Sequence, residues 1–87
     1  MKTFDNLKEQ LEQQEWPSLY MFKFIIPNEN EKMAQVSALF DENSEIAYHN
    51  SSQGKYVSVS VKEVMLSADS VIEVYEKASK IEGIISL

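Results

Sequence analysis

Apolar residues fall along the chain in two rhythms, one of three to four residues and one of two. Phe4, Leu7 and Leu11 recur at helical steps in a polar segment, with Thr3 as N-cap, which predicts a short helix over residues 3 to 14. Trp16-Pro17 ends it, because proline cannot continue a helix and biases the residue before it toward extended backbone. Residues 18 to 26 then alternate: Tyr20, Phe22, Phe24 and Ile26 form one face of a strand, and Leu19, Met21, Lys23 and Ile25 the other. Lys23 marks its own face as the outer one. Pro27 stops the strand. Asn28 and Glu31 have the spacing of a capping box for a helix whose buried stripe is Met33, Val36, Leu39 and Phe40, ending near Asp41.

A weaker strand is expected over residues 44 to 50, a turn over 51 to 54, and a long strand over 55 to 64. In that last strand Val57, Val59 and Val61 alternate with Tyr56, Ser58, Ser60 and Lys62, so the valines are expected to face the helices. Ser67 caps a final helix whose stripe is Val71, Val74, Tyr75, Ala78 and Ile81, with Lys77 and Lys80 at the end favoured by the helix dipole. Gly83 breaks it before a short strand over 84 to 87. A helix followed by strand–helix–strand–strand–helix–strand is the split βαβ pattern. The expected fold is therefore α+β, a ferredoxin-like βαββαβ plait. Its four-stranded antiparallel sheet carries two helices on one face, and a short N-terminal helix precedes it. Residues 1–15 read as a helical extension and 16–87 as the domain.

Composition narrows the function. At 87 residues the chain has room for one core. It has no cysteine, which removes disulfides, thiolate catalysis and cysteine-based zinc sites. Its net charge is -6, with eight lysines and no arginine. A nucleic-acid partner is disfavoured, since phosphate contacts need a basic footprint. Residues 1 to 15 have no continuous apolar stretch, so no signal peptide is expected. No apolar run approaches the roughly 20 residues of a membrane span. A cytoplasmic protein without a membrane partner is the expectation.

Three places could carry chemistry. His49, the only histidine, has no acidic residues at ligand spacing around it and reads as an exposed or turn residue rather than a metal or catalytic group. Ser51, Ser52 and Gly54 could cradle an anion with backbone N–H groups and hydroxyls, although serine and glycine also suit a plain hairpin turn. Tyr56, Ser58, Ser60 and Lys62, beside Met21, Lys23 and Ile25, would line the helix-free sheet face. One aromatic there is too few for base stacking of RNA. A partner docking onto the face, self-association, or a plain solvated face remain. The carboxylates are dispersed on helical surfaces and form no acid–base pair. Acylphosphatase-type chemistry would need an arginine-like anion cradle. No enzyme, cofactor or metal is expected.

The stretch Ser51-Ser52-Gln53-Gly54-Lys55-Tyr56-Val57-Ser58-Val59-Ser60 resembles the signature of the YbeD-like family of uncharacterised bacterial proteins, Ser-Ser-x-Gly-x-Tyr-x-Ser-Val-Ser. Trp16-Pro17-Ser18-Leu19-Tyr20-Met21-Phe22-Lys23 is similar to that family's aromatic-Pro lead into its first strand, and Ile72 to Leu87 matches in pattern. The likeness spans about residues 15 to 87. It implies a ferredoxin-like fold similar to the regulatory amino-acid-binding domains of metabolic enzymes, with no established catalytic activity. That similarity argues by association. Together these readings favour a non-enzymatic regulatory or ligand-binding module. It would take a small metabolite or an unknown protein partner through Lys23, Tyr56, Ser58 and Ser60 of the open face or through Ser51, Ser52 and Gly54 of the hairpin. The alternative is a protein–protein interaction or structural module with no small-molecule ligand, and a homodimer is a further form of partner.

Overall fold

The computed structural model describes residues 5–41 and 44–86. Its elements are α1 (Asp5–Glu12), β1 (Ser18–Pro27), α2 (Asn30–Ser37), β2 (Glu45–Asn50), β3 (Tyr56–Met65), α3 (Ala68–Ala78) and β4 (Ile85–Ser86). The expected cap Thr3 and stripe residue Phe4 lie outside the described residues, as does Leu87 of the last strand. The strands form one antiparallel sheet in the order β2-β3-β1-β4, the ferredoxin-like arrangement. Among the described residues no helix is long and apolar enough to cross a membrane.

β1 and β3 pair along their whole length, from Ser18↔Met65 to Pro27↔Tyr56, and form the spine of the molecule. Their alternation is the expected one. Phe22, Phe24 and Ile26 on β1 and Val57, Val59 and Val61 on β3 are buried, while Lys23, Ser58 and Lys62 are exposed. The inward residues meet Val36 of α2 and Val71, Val74, Tyr75 and Ala78 of α3. Phe22 sits at the centre, within 4.7 to 6.2 Å (ring centroids) of Tyr20, Phe24, Phe40 and Tyr75. Edge-to-face geometry prevails among these rings, the arrangement favoured by aromatic quadrupoles. The Tyr20 and Tyr75 hydroxyls share a hydrogen bond of 3.0 Å. Burial first, and then that bond, holds the Tyr75 phenol well above the ordinary tyrosine range.

α3 begins as its sequence suggests. The Ser67 hydroxyl accepts from the Ser70 N–H at 3.1 Å, and the Ser70 hydroxyl accepts from the Ser67 N–H at 3.2 Å, a reciprocal cap. Asp69 in its first turn pairs with Lys8 of α1 at 3.1 Å, and Lys77 pairs with Glu73 one turn earlier. Both pairs are exposed, so each adds less than about 1 kcal/mol. α1 docks chiefly through Leu11, which is 2% exposed, and the Trp16 indole donates to the Leu11 carbonyl at 2.9 Å.

α2 departs from expectation. Its N-cap is Glu29, with no side-chain capping bond, and not Asn28. Asn28 is still held by the strands: its N–H donates to the Lys55 carbonyl at 3.0 Å and its side-chain amide to the Gly54 carbonyl at 2.7 Å. Pairing with the β2–β3 hairpin outcompetes the local cap. α2 also ends at Ser37, short of Asp41; Leu39 and Phe40 follow in tight i→i+3 turns yet still pack on the core.

Candidate functional site

The helix-free face of the sheet is laid out by register. Across β2, β3 and β1, its rows read Leu19 beside Val64; Glu45, Lys62 and Met21; Ala47, Ser60 and Lys23; and His49, Ser58 and Ile25, with Ile85 of β4 beside Ile25. Tyr56 lies at the hairpin end, opposite Pro27. The face thus has an apolar end (Leu19, Val64, Met21), a polar middle (Lys23, Ser60, Lys62) and a second apolar end (Ile25, Ile85, Tyr56). Leu19 is 65% and Val64 61% exposed, and Met21, Tyr56 and Ile85 are exposed as well. Among the described residues the buried side chains of α2 and α3 pack on the aromatic and valine face, which leaves this side without a helix.

Structure brings Lys23 and Ser60 side by side as register partners, with Ser58 one row on and Tyr56 at the end of the same strand. Ser51, Ser52 and Gly54 lie apart from them, in the hairpin beyond Tyr56. That hairpin uses its own donors: Ser51 N–H reaches the Tyr56 carbonyl at 2.9 Å, Gly54 N–H the Ser51 carbonyl at 3.0 Å, and Tyr56 N–H the Ser51 hydroxyl at 3.3 Å. Gly54 has φ of +71°, the left-handed conformation in which glycine avoids the Cβ penalty. Ser51 and Gly54 therefore close the turn with the groups an anion would have needed.

A surface groove of about 480 Å³ runs beside the first apolar end, lined by Leu19, Asp41, Ser44, Glu45, Lys62, Glu63 and Val64. A second, of about 380 Å³, continues over Glu45, Ile46, Ala47, Ser60 and Lys62. Lys62 and Glu45 belong to both. The Ser44 hydroxyl donates to the Glu63 carboxylate at 2.6 Å, which fixes one wall. Asp41, Ser44 and Glu63 were not expected here from sequence. Only Glu63 carried a signal: it is a carboxylate at a position whose parity belongs to the buried valine face. His49 is exposed on β2, and among the described residues no group of acidic and histidine side chains is placed to hold a metal ion.

Residues 11–87 match the model of a family described as Protein of unknown function (DUF493). The chain belongs to this family. No curated protein and no solved structure matches it. The DUF493 match begins at Leu11, the residue that seats α1 in the core. It then takes in every strand of the sheet and so the whole helix-free face.

Proposed function

We propose that this DUF493 chain, read more finely as a YbeD-like protein, is a non-enzymatic regulatory module of the cytoplasm that docks a protein partner on its helix-free sheet face. The observation that carries the reading is the exposed apolar pair Leu19 and Val64, neighbours across β1 and β3 and continuous with Met21. Clustered exposed apolar side chains rimmed by polar ones are the mark of an interaction surface. Lys23 and Lys62 lie between the two apolar ends; Glu45 stands opposite Lys62, whereas the register partner of Lys23 is the neutral Ser60. The complementary partner surface presents two apolar contacts flanking a carboxylate. Neither a nucleic acid, a membrane nor a cofactor enters this reading. Its non-enzymatic part rests on the sequence, which has no cysteine and no arginine and disperses its carboxylates. Its regulatory part rests on analogy of fold with amino-acid-binding domains.

The test is affinity capture with the full chain beside a Leu19→Lys, Val64→Lys variant. A protein recovered by the parent and lost with the folded variant supports the docking face; equal recovery by both overturns it.

A metabolite-binding reading is favoured by the 480 Å³ groove, whose lining includes Lys62 together with Asp41, Glu45 and Glu63. Such a mixed set suits a zwitterion like a free amino acid. Its mark is a dose-dependent rise in melting temperature with amino acids that Lys62→Met removes.

A further inference from the structure

The sheet has two edges, and they are treated differently. Among the described residues β4 spans Ile85–Ser86 and meets β1 at Phe24 and Ile25, a short edge. β2 is six residues long and pairs with β3 in unbroken register from Glu45 to Asn50. Natural edge strands are blunted by shortness, charged side chains and above all lysine, proline, bulges or a covering element. β2 has a single charged residue, Glu45, at its first position. β2 contains no lysine, proline or glycine, and its register shows no bulge. Ile46 is its only residue that is not exposed. Tyr48 shares the parity of buried Val59 and Phe24, on the helix side of the sheet, yet it is 43% exposed. Tyr48 is thus a large aromatic at an edge without lysine, proline or bulge, on the face that is elsewhere buried, and no described residue covers it.

We propose that what covers it is β2 of a second copy of the chain, paired antiparallel across a two-fold axis through Ala47, so that two four-stranded sheets become one. Directly opposed residues of an antiparallel pair point to the same face. A two-fold axis perpendicular to the sheet must therefore pass through a residue and not between two. Three central residues are available. An axis through Ile46 sets Glu45 opposite Ala47 and leaves His49 outside the paired strand. An axis through Tyr48 sets Ile46 opposite Asn50 and Ala47 opposite His49. An axis through Ala47 sets Glu45 opposite His49 of the second copy and Ile46 opposite its Tyr48, each twice by symmetry, with the small Ala47 against itself.

Only this last register gives a carboxylate a ring N–H to accept from and gives an aliphatic β-branched residue an aromatic, two of the favourable cross-strand pairings. It opposes no like charges. The same symmetry matches the strands' free N–H and C=O groups, since these also alternate with parity. The two helix-free faces end on one side of the joined sheet and stay open, so the pairing stands independently of the docking proposed above. A six-residue ladder is a small interface, in the class of weak, concentration-dependent association.

Sedimentation velocity on the full chain tests it, over concentrations from about 10 µM to about 1 mM, the range suited to a small interface. The expected result is a shift from monomer toward dimer with rising concentration. His49→Glu, which faces Glu45 with a second carboxylate, and Ala47→Lys, which sets like charges on the axis, should each abolish the shift. The exchange Glu45→His, His49→Glu should restore it, because the opposed pair is regenerated. A second readout needs no charge change. Opposed Cα atoms lie about 4.5–5.5 Å apart in such pairs, within disulfide reach. The chain has no cysteine of its own, so A47C under mild oxidation should give a covalent dimer while S52C at the hairpin tip should not. A monomer across the whole range, a dimer indifferent to Ala47→Lys and His49→Glu, failure of the exchange to restore it, or S52C cross-linking as fast as A47C would each overturn the proposal.

Discussion

The two faces of one sheet are built from the same two central strands, yet they do opposite work. Inward, β1 and β3 present Phe22, Phe24, Ile26, Val57, Val59 and Val61, all buried against α2 and α3. Outward, the intervening positions present Leu19, Met21, Lys23, Ser58, Ser60, Lys62 and Val64, and no helix among the described residues covers them. The inner face is dense because its aromatic rings interlock. The outer face keeps aliphatic side chains at its ends although solvent gives them no stabilisation there. Clustered aliphatic side chains that the fold leaves exposed point to a use outside the fold.

Breaking the inner face should cost most. Phe22→Ala removes the ring at the centre of the aromatic cluster and should destabilise by about 3–5 kcal/mol in equilibrium denaturation, with Val59→Ala next at about 1–3 kcal/mol. Ser58→Ala, one residue from Val59 but outward, should stay within about 0.5 kcal/mol. Equal midpoints for Val59→Ala and Ser58→Ala would reverse the assignment of the faces.

The hairpin gives intermediate effects. Gly54→Ala meets no atom within 4 Å but must hold a positive φ, so a loss of about 1 kcal/mol is expected. Asn28→Asp separates two roles. An aspartate caps a helix as well as asparagine does, but it cannot donate to the Gly54 carbonyl, so a loss of about 1 kcal/mol in denaturant is expected. An unchanged midpoint would return Asn28 to the cap.

A smaller effect belongs to Tyr75. Its folded pKa is raised, so its contribution is complete below the unfolded tyrosine value of about 10 and is lost as pH rises beyond it. Melting temperature should fall more steeply above about pH 10 in the parent than in Tyr75→Phe. Parallel curves would remove Tyr75 from the alkaline transition.

Much of this asymmetry is legible in the residues. Strict alternation in β1 and β3 marks both faces, and Lys23 and Lys62 say which is outer. The Ser67 cap and the stripe of α3 from Val71 to Ala78 are local signals and are realised as such, while Lys80 and Ile81, expected on the same helix, follow its end at Ala78, with Ile81 still buried. What local signals do not carry is pairing between distant segments. Asn28 and Glu31 have the spacing of a cap, but a carbonyl 26 residues away takes the Asn28 amide. Leu7 and Leu11 make a weak stripe whose burial depends on α3. Within the candidate site, Lys23, Ser58, Ser60 and Tyr56 share a face because parity dictates it. The groove walls of Asp41, Ser44 and Glu63 meet only through the β2–β3 register, and the spent donors of Ser51 and Gly54 follow from the closed hairpin. Neither is written in spacing.

The most direct measurement of the division between the faces is equilibrium unfolding of the double variant Leu19→Ser, Val64→Ser. If the outer apolar pair serves docking and not folding, its denaturation midpoint should lie within the spread of surface substitutions, about 0.5 kcal/mol per site. A loss as large as that of Val59→Ala would show that Leu19 and Val64 hold the fold together, and would contradict the reading of the outer face as a surface kept for a partner.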